Sequence, residues 1–387
     1  MNYHFDEIVS RSNTHAIKWE MCEEGVIPLW VADMDFKTAP AVTAALVKRA
    51  EHGIFGYTKP SLSYYRAVCN WFKKRHGFEV RPGWILQSTG VVPALSNIIE
   101  ALTEPGDGVL VQPPVYNCFF SCVKNAGREL VFNPLLNNGG SYRMDYEDLE
   151  KKVSDPRVKL FLLCSPHNPA GRVWTAEELR RAGEICLKHN VLVVADEIHC
   201  ELTAPGVTFT PFAALSPDFL QNSVTCNSPS KAFNLAGLRA ANIFVSDKDR
   251  REKINRQLAL NEINVFSPFG VEGVIAAYNE GADWLDALNV YLHENFKYLR
   301  DFFARQLPQL RVTPLEGTYL AWVDCSALKC PSAQLAELLL SKGKVRVNAG
   351  SVYGTEGDAF LRINIACPRA RLQAGLERIA RTLQTLS

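Results

Sequence analysis

Two almost wholly apolar runs bracket a helix in the middle of this chain, and that arrangement restricts the fold more than any other feature. Val158-Lys159-Leu160-Phe161-Leu162-Leu163-Cys164 has the length of one buried strand, and Val191-Leu192-Val193-Val194-Ala195 that of another. Between them, Thr175 with Glu178 has the form of a capping box opening a helix to about His189. Strand, helix and strand in succession make a crossover, and near-continuous apolar strands belong to mostly parallel sheets covered on both faces. The expected fold class is α/β.

Ser223 to Cys226 and Ala241 to Val245 extend the pattern, so three successive strands end at Ser165-Pro166-His167-Asn168, at Asp196-Glu197 and at Ser228 to Lys231. Open α/β sheets bind ligands beyond the carboxyl ends of their strands. Asn168, Asp196 and Lys231 are thereby candidates for one pocket. From about Tyr278 the texture changes to a long helical pattern, Trp284 to Gln306, followed by strand-like Thr318 to Val323, a Gly-rich loop from Gly350 to Gly357, and strand-like Phe360 to Ile365. These elements suffice for a second, smaller α+β domain, which the extreme N-terminus is expected to join. The divisions expected are 1–48, 49–275 and 276–387.

Composition narrows the ligand. Lysine plus arginine (42) nearly balances aspartate plus glutamate (41), with no basic block interleaved with aromatics, so a small molecule is expected rather than nucleic acid or an anionic membrane. The start, Met1 to Asp6, lacks a charged region followed by an apolar one, and no stretch of about eighteen apolar residues occurs, so a cytoplasmic location is expected. The 11 cysteines are scattered through apparent strands and helices without a Cys-x-x-Cys pair, which favours reduced core thiols. Cys118 and Cys122 lack the accompanying His or Cys pairs of a zinc site, and no metal is expected.

Lys231 follows the short polar turn Asn227-Ser228-Pro229-Ser230, at the mouth of the expected sheet. A lysine held there forms Schiff bases readily once burial or a neighbouring cation lowers its pKa. Pyridoxal phosphate requires such a lysine for its aldehyde, an acid for its ring nitrogen, an aromatic to stack on the ring, and donors for its phosphate. Asp196 suits the nitrogen, although an acid at a strand end is also a common turn or helix-capping residue. Asn168, in Asn168-Pro169-x-Gly171, offers a hydrogen bond to the ring hydroxyl, and Asn-Pro is equally a generic turn. Gly90-Val91-Val92 precedes an apolar-rich helical run, Ala94 to Leu102, whose N-terminus suits a phosphate. Ser228 and Arg239 offer it a hydroxyl and a cation. Tyr116 is placed to stack on the ring or simply to pack. Arg362, between Leu361 and Ile363, either faces inward toward a substrate carboxylate or lies on the polar face of its strand.

As an ordered set, Tyr57, the Gly90 turn, Tyr116, Asn168-Pro169-x-Gly171, Asp196-Glu197, Ser228-x-x-Lys231, Arg239 and Arg362 resemble fold-type I pyridoxal-phosphate enzymes over nearly the whole chain. Pro28 to Phe36, Asp196-Glu197-Ile198-His199 and Ser228 to Leu238 are similar to the MalY/PatB group of cystathionine β-lyases. The resemblance implies an aminotransferase-like large domain with a mixed, mostly parallel seven-stranded sheet, a small domain built from both termini, and a homodimer with shared active sites. It implies that Lys231 is catalytic and that Gly90, Val91, Val92, Tyr116, Asn168, Asp196, His199, Ser228 and Arg239 bind the cofactor. Tyr57 would reach the phosphate of the neighbouring subunit, and Arg362, Asn168 and Tyr116 would contact the substrate.

The activity so implied is α,β-elimination of L-cystathionine or related cysteine S-conjugates to a thiol, pyruvate and ammonia. Arg239 after Gly237-Leu238 also matches aminotransferases, which use the same residues, so transamination stays open. A regulatory binding role on a retained lyase fold is a further alternative.

Overall fold

A computed structural model describes residues 3–263 and 266–384. Met1 and Asn2, part of the stretch read for a targeting signal, lie outside the described residues. The central sheet has seven strands: β1 (Ile85–Ser88), β2 (Gly108–Val111), β3 (Glu129–Phe132), β4 (Val158–Cys164), β5 (Leu192–Asp196), β6 (Ser223–Asn227) and β7 (Ala241–Phe244). They lie side by side in the order β1-β7-β6-β5-β4-β2-β3. The pairs from β6 to β3 are parallel, and β7 is antiparallel to both β6 and β1.

The expected crossover is present. The helix between β4 and β5 runs Ala176–Lys188, opened by Thr175 Oγ1 accepting from the Glu178 amide at 3.1 Å and by Glu178 Oε2 accepting from the Thr175 amide at 2.8 Å. Residues of β4, β5 and β6 are buried almost throughout, as strands covered on both faces must be. The reversal of β7 goes with a connection from β6 that contains no α-helix, only the short 3-10 turn Ala236–Leu238, whereas parallel returns are usually made through a crossover helix.

The second sheet has four antiparallel strands, β8 (Arg311–Val312), β9 (Leu320–Asp324), β10 (Asn348–Ala349) and β11 (Phe360–Asn364), in the order β8-β9-β11-β10. The helix before it spans Ala282–Gln306, and the helix Arg369–Leu383 follows it. Gly350 to Gly357, read as a plain loop, contains two 3-10 turns, Gly350–Tyr353 and Thr355–Gly357. The N-terminal segment is sewn to this part of the molecule. Ile27–Pro28 pairs in parallel with Val345–Arg346, the Asn364 amide donates to Leu29 O at 2.9 Å, and the Asp35 amide donates to Ala366 O at 2.9 Å. Among the described residues, no helix is long and apolar enough to cross a membrane.

Candidate active site

Sheet register brings the expected residues together. Cys164 pairs with Asp196 and Asp196 with Cys226, so the chain leaves β4, β5 and β6 at one level. A cavity of about 210 Å³ opens there, lined by Gly90, Val91, Val92, Tyr116, Asn168, Asp196, His199, Ser228, Lys231 and Arg239. Sequence positions scattered over 150 residues thus surround one space.

Lys231 extends into it from the loop after β6, and its Nζ donates to the Ala32 carbonyl at 2.7 Å. Burial, reinforced by the Arg362 cation, lowers the amine to about 8 against the pull of Asp33 and Asp196. Asp196 is buried at the end of β5, its Oδ1 accepting from the Ile198 amide at 3.1 Å. Burial pushes its carboxyl up to about 7, opposed by the Ile198 amide and the Lys231 charge. A buried acid on a cavity wall in that condition has capacity for a cationic N–H partner. His199 is held neutral, because burial, reinforced by the Lys231 and Arg362 charges, sets its imidazole well below the usual range.

At the other end of the cavity the helix Val91–Leu102 begins at Gly90 without a side-chain cap. Its first amides point to solvent or ligand, a natural anion seat. Arg239, at φ 56°, is exposed at the rim. Ser228 Oγ donates to Ala240 O at 2.6 Å and accepts from the Ser230 amide at 3.1 Å. Its hydrogen therefore braces the lysine loop, and donation to a phosphate requires rotating it away from Ala240.

Arg362 is turned inward on β11, which resolves its two sequence readings in favour of the buried one. Its Nη1 donates to Asn168 Oδ1 at 3.3 Å, its Nη2 donates to Trp30 O at 2.7 Å, and its guanidinium carbon lies 4.9 Å from the centre of the Tyr353 ring. Arg362 Nε is buried without a hydrogen-bond partner. Such a donor is costly unless a ligand oxygen meets it. Tyr57 stands apart: it is fully exposed and lines no part of the cavity of its own chain.

Several contributors escaped sequence reasoning. Ala32 acts through its carbonyl oxygen, which also accepts from the Tyr319 hydroxyl at 2.9 Å. Trp30 likewise contributes a carbonyl, and Tyr353 a ring face. Only the Pro28 to Phe36 motif pointed to this segment. The cluster of metal-ligand types among the described residues is not at Cys118 and Cys122 but at His76, Cys200 and Glu201, with donor atoms within 4.8 Å of one another. There Glu201 Oε1 accepts from Trp71 Nε1 at 2.6 Å and lies 2.7 Å from His76 Nε2, while Arg75 Nε is 3.7 Å from Oε2, so N–H groups already surround the carboxylate.

Fold and site together define an enzyme built like an aminotransferase, with a half-buried lysine and a buried acid on one cavity. The family model for aminotransferase class I and II matches residues 24–379, and the chain belongs to that family. It is 46% identical to cystathionine beta-lyase PatB of Bacillus subtilis, over 98% of this chain and 99% of that one. Cystalysin from Treponema denticola, whose crystal structure contains pyridoxal 5'-phosphate, is 35% identical and superposes with a TM-score of 0.97, covering 100% of both chains. The pyridoxal-phosphate-bound C-S lyase from Staphylococcus hominis is 35% identical with a TM-score of 0.94, covering 99% of this chain and 98% of that one.

Proposed function

We propose that this chain is a pyridoxal-phosphate-dependent carbon–sulfur β-lyase, which converts L-cystathionine or a related cysteine S-conjugate to a thiol, pyruvate and ammonia. The observation that carries this reading is the convergence of Lys231 and Asp196 on one cavity at the ends of the parallel strands, with Arg362 bonded to Asn168 of the same cavity wall. Kinship with PatB, cystalysin and the staphylococcal C-S lyase supports it.

The residues present fit the cofactor. The uncapped helix at Gly90, Val91 and Val92 would hold the phosphate, with Arg239 and, once its hydroxyl turns from Ala240, Ser228. Asp196 would hold the ring nitrogen, Asn168 the ring hydroxyl, and Tyr116 and His199 would lie against the ring. Bound there, pyridoxal phosphate supplies an aldehyde for amines and a ring that draws electrons from the substrate Cα.

Arg362 offers Nε to the substrate carboxylate and holds it against Asn168. Burial makes Lys231 a base in the neutral range, and its Nζ takes the Cα proton. The pair left on Cα becomes a Cα–Cβ double bond as the bond from Cβ to sulfur breaks, and the thiolate leaves with its bond pair. Water hydrolyses the resulting enamine to pyruvate and ammonia. Asp196, kept from water on β5, would serve as counter-ion to a protonated ring nitrogen. From cystathionine the thiol released is homocysteine.

The same reading has the chain acting as a homodimer, with Tyr57 of the partner subunit completing the phosphate seat, and working in the cytoplasm. Its segments 1–48 and 276–387 form a small domain on a large one, 49–275. The test is incubation of the purified protein with L-cystathionine and no keto acid. Sustained release of pyruvate and free thiol is expected. Turnover only when a keto acid is supplied would replace the lyase with an aminotransferase.

A further inference from the structure

Two donors meet on one backbone oxygen beside the reactive amine: Lys231 Nζ at 2.7 Å and the Tyr319 hydroxyl at 2.9 Å, both on Ala32 O. That oxygen is held firmly in place. Trp30 O accepts from Arg362 and from Asn348 Nδ2 at 3.2 Å, and Asn364 Nδ2 donates to Val31 O at 2.5 Å and to Asp33 O at 2.7 Å. Beyond Ala32, Asn234 accepts from the Met34 amide at 3.0 Å and donates to Met34 O at 3.0 Å and Phe36 O at 2.9 Å. The segment from Trp30 to Phe36 is therefore tied on both sides of Ala32, and its carbonyl cannot swing freely to suit either donor.

Tyr319 precedes β9 and is wholly buried, and burial pushes its hydroxyl well above the ordinary tyrosine range, so it remains a donor at any working pH. A carbonyl oxygen has two lone pairs, and here each has a claimant. Hydrogen bonding to the charged form of an amine favours its proton. An oxygen already drained by one donor is a poorer acceptor for a second, and the positive end of the tyrosine O–H dipole faces the ammonium across it.

We propose that Tyr319 is a positioning residue that shares the Ala32 carbonyl with Lys231 and limits how strongly that oxygen holds the lysine's proton, so that the amine stays available as a base. This rests on the reading of Lys231 as the amine that bonds the cofactor.

The experiment follows the rate at which cofactor-stripped protein captures pyridoxal phosphate as a function of pH, since only the unprotonated amine bonds the aldehyde. In Tyr319→Phe the oxygen serves Lys231 alone, and the midpoint is expected to rise by about half a pH unit to one unit, a roughly three- to tenfold more basic amine. In the loaded enzyme, kcat near the wild-type midpoint is expected to fall at little-changed KM. If the phenylalanine protein does not fold, 3-fluorotyrosine at position 319, a stronger donor in the same place, is expected to move the midpoint down. Asn234→Ala, which loosens the same segment without touching Ala32 O, is expected to leave the midpoint where it is.

An unmoved midpoint in the Tyr319 proteins overturns the inference and leaves the reading of Lys231 standing. A shift in Asn234→Ala as large as that in Tyr319→Phe also overturns it, since general loosening would then explain both. Capture by Lys231→Ala at the wild-type rate would instead sink the reading of Lys231, and this inference with it.

Discussion

Arg362 Nη1 and Asn168 Oδ1 meet at 3.3 Å, and this bond joins the four-stranded sheet to the loop that leaves the seven-stranded one. It helps set the direction of the guanidinium fork, and Nε is left buried without a hydrogen-bond partner. Lysine in its place keeps the charge but has neither the fork nor a second nitrogen for Trp30 O. Arg362→Lys is expected to raise KM for the amino acid by about 10- to 100-fold, with a smaller change in kcat, as steady-state kinetics would read.

Asp196 makes the cofactor-free protein less stable as pH rises. Its carboxyl titrates at about 7 in the folded chain, against the ordinary value of 3.8. The folded state therefore keeps a proton that the unfolded state has lost between those values, and stability falls across that window and levels off above it. Asp196→Asn cannot ionise. Compared with the wild type, the cofactor-free variant is expected to gain roughly 2–4 kcal/mol at pH 8 relative to pH 4. Chemical denaturation at the two pH values measures this, and parallel behaviour of the two proteins would refute it.

Glu201 joins the turn after Asp196 to the helix Leu62–His76 through Trp71, Arg75 and His76. Alanine at this position leaves the Trp71 and His76 N–H groups and a neighbouring guanidinium without their carboxylate. The expected cost is about 3–5 kcal/mol. Thermal unfolding of Glu201→Ala should show it as a drop in Tm of several degrees, with Glu201→Gln intermediate because the amide oxygen still accepts.

Thr175→Ala removes the capping box that opens the helix Ala176–Lys188. The expected loss is about 1 kcal/mol of stability. The site residues do not lie on that helix, so turnover at a temperature well below unfolding should be unchanged.

Legibility from sequence tracked how strongly each feature is written in side chains. Strands β4, β5 and β6 carry apolar runs because both faces are covered, and the residues that follow them, Asn168, Asp196 and Lys231, could be proposed as neighbours from that alone. Strand β3 is an edge strand with Glu129 and Phe132 exposed, so it offered little pattern. The direction of β7 could not be read from its own residues, since Ala241 to Phe244 is as buried as its parallel neighbours. What goes with its reversal is a link from β6 that carries no crossover helix.

By itself the sequence determined the α/β class, the crossover at Thr175, and the level at which the site residues leave the sheet, because buried strands and helix caps leave local patterns. Only the tertiary structure decided that Arg362 faces inward, that Ser228 spends its hydrogen on Ala240, and that Lys231 and Tyr319 share the oxygen of Ala32. Those are questions of which donor reaches which acceptor. A backbone carbonyl is the same in every residue, so its selection is made by chain path, not by side-chain identity.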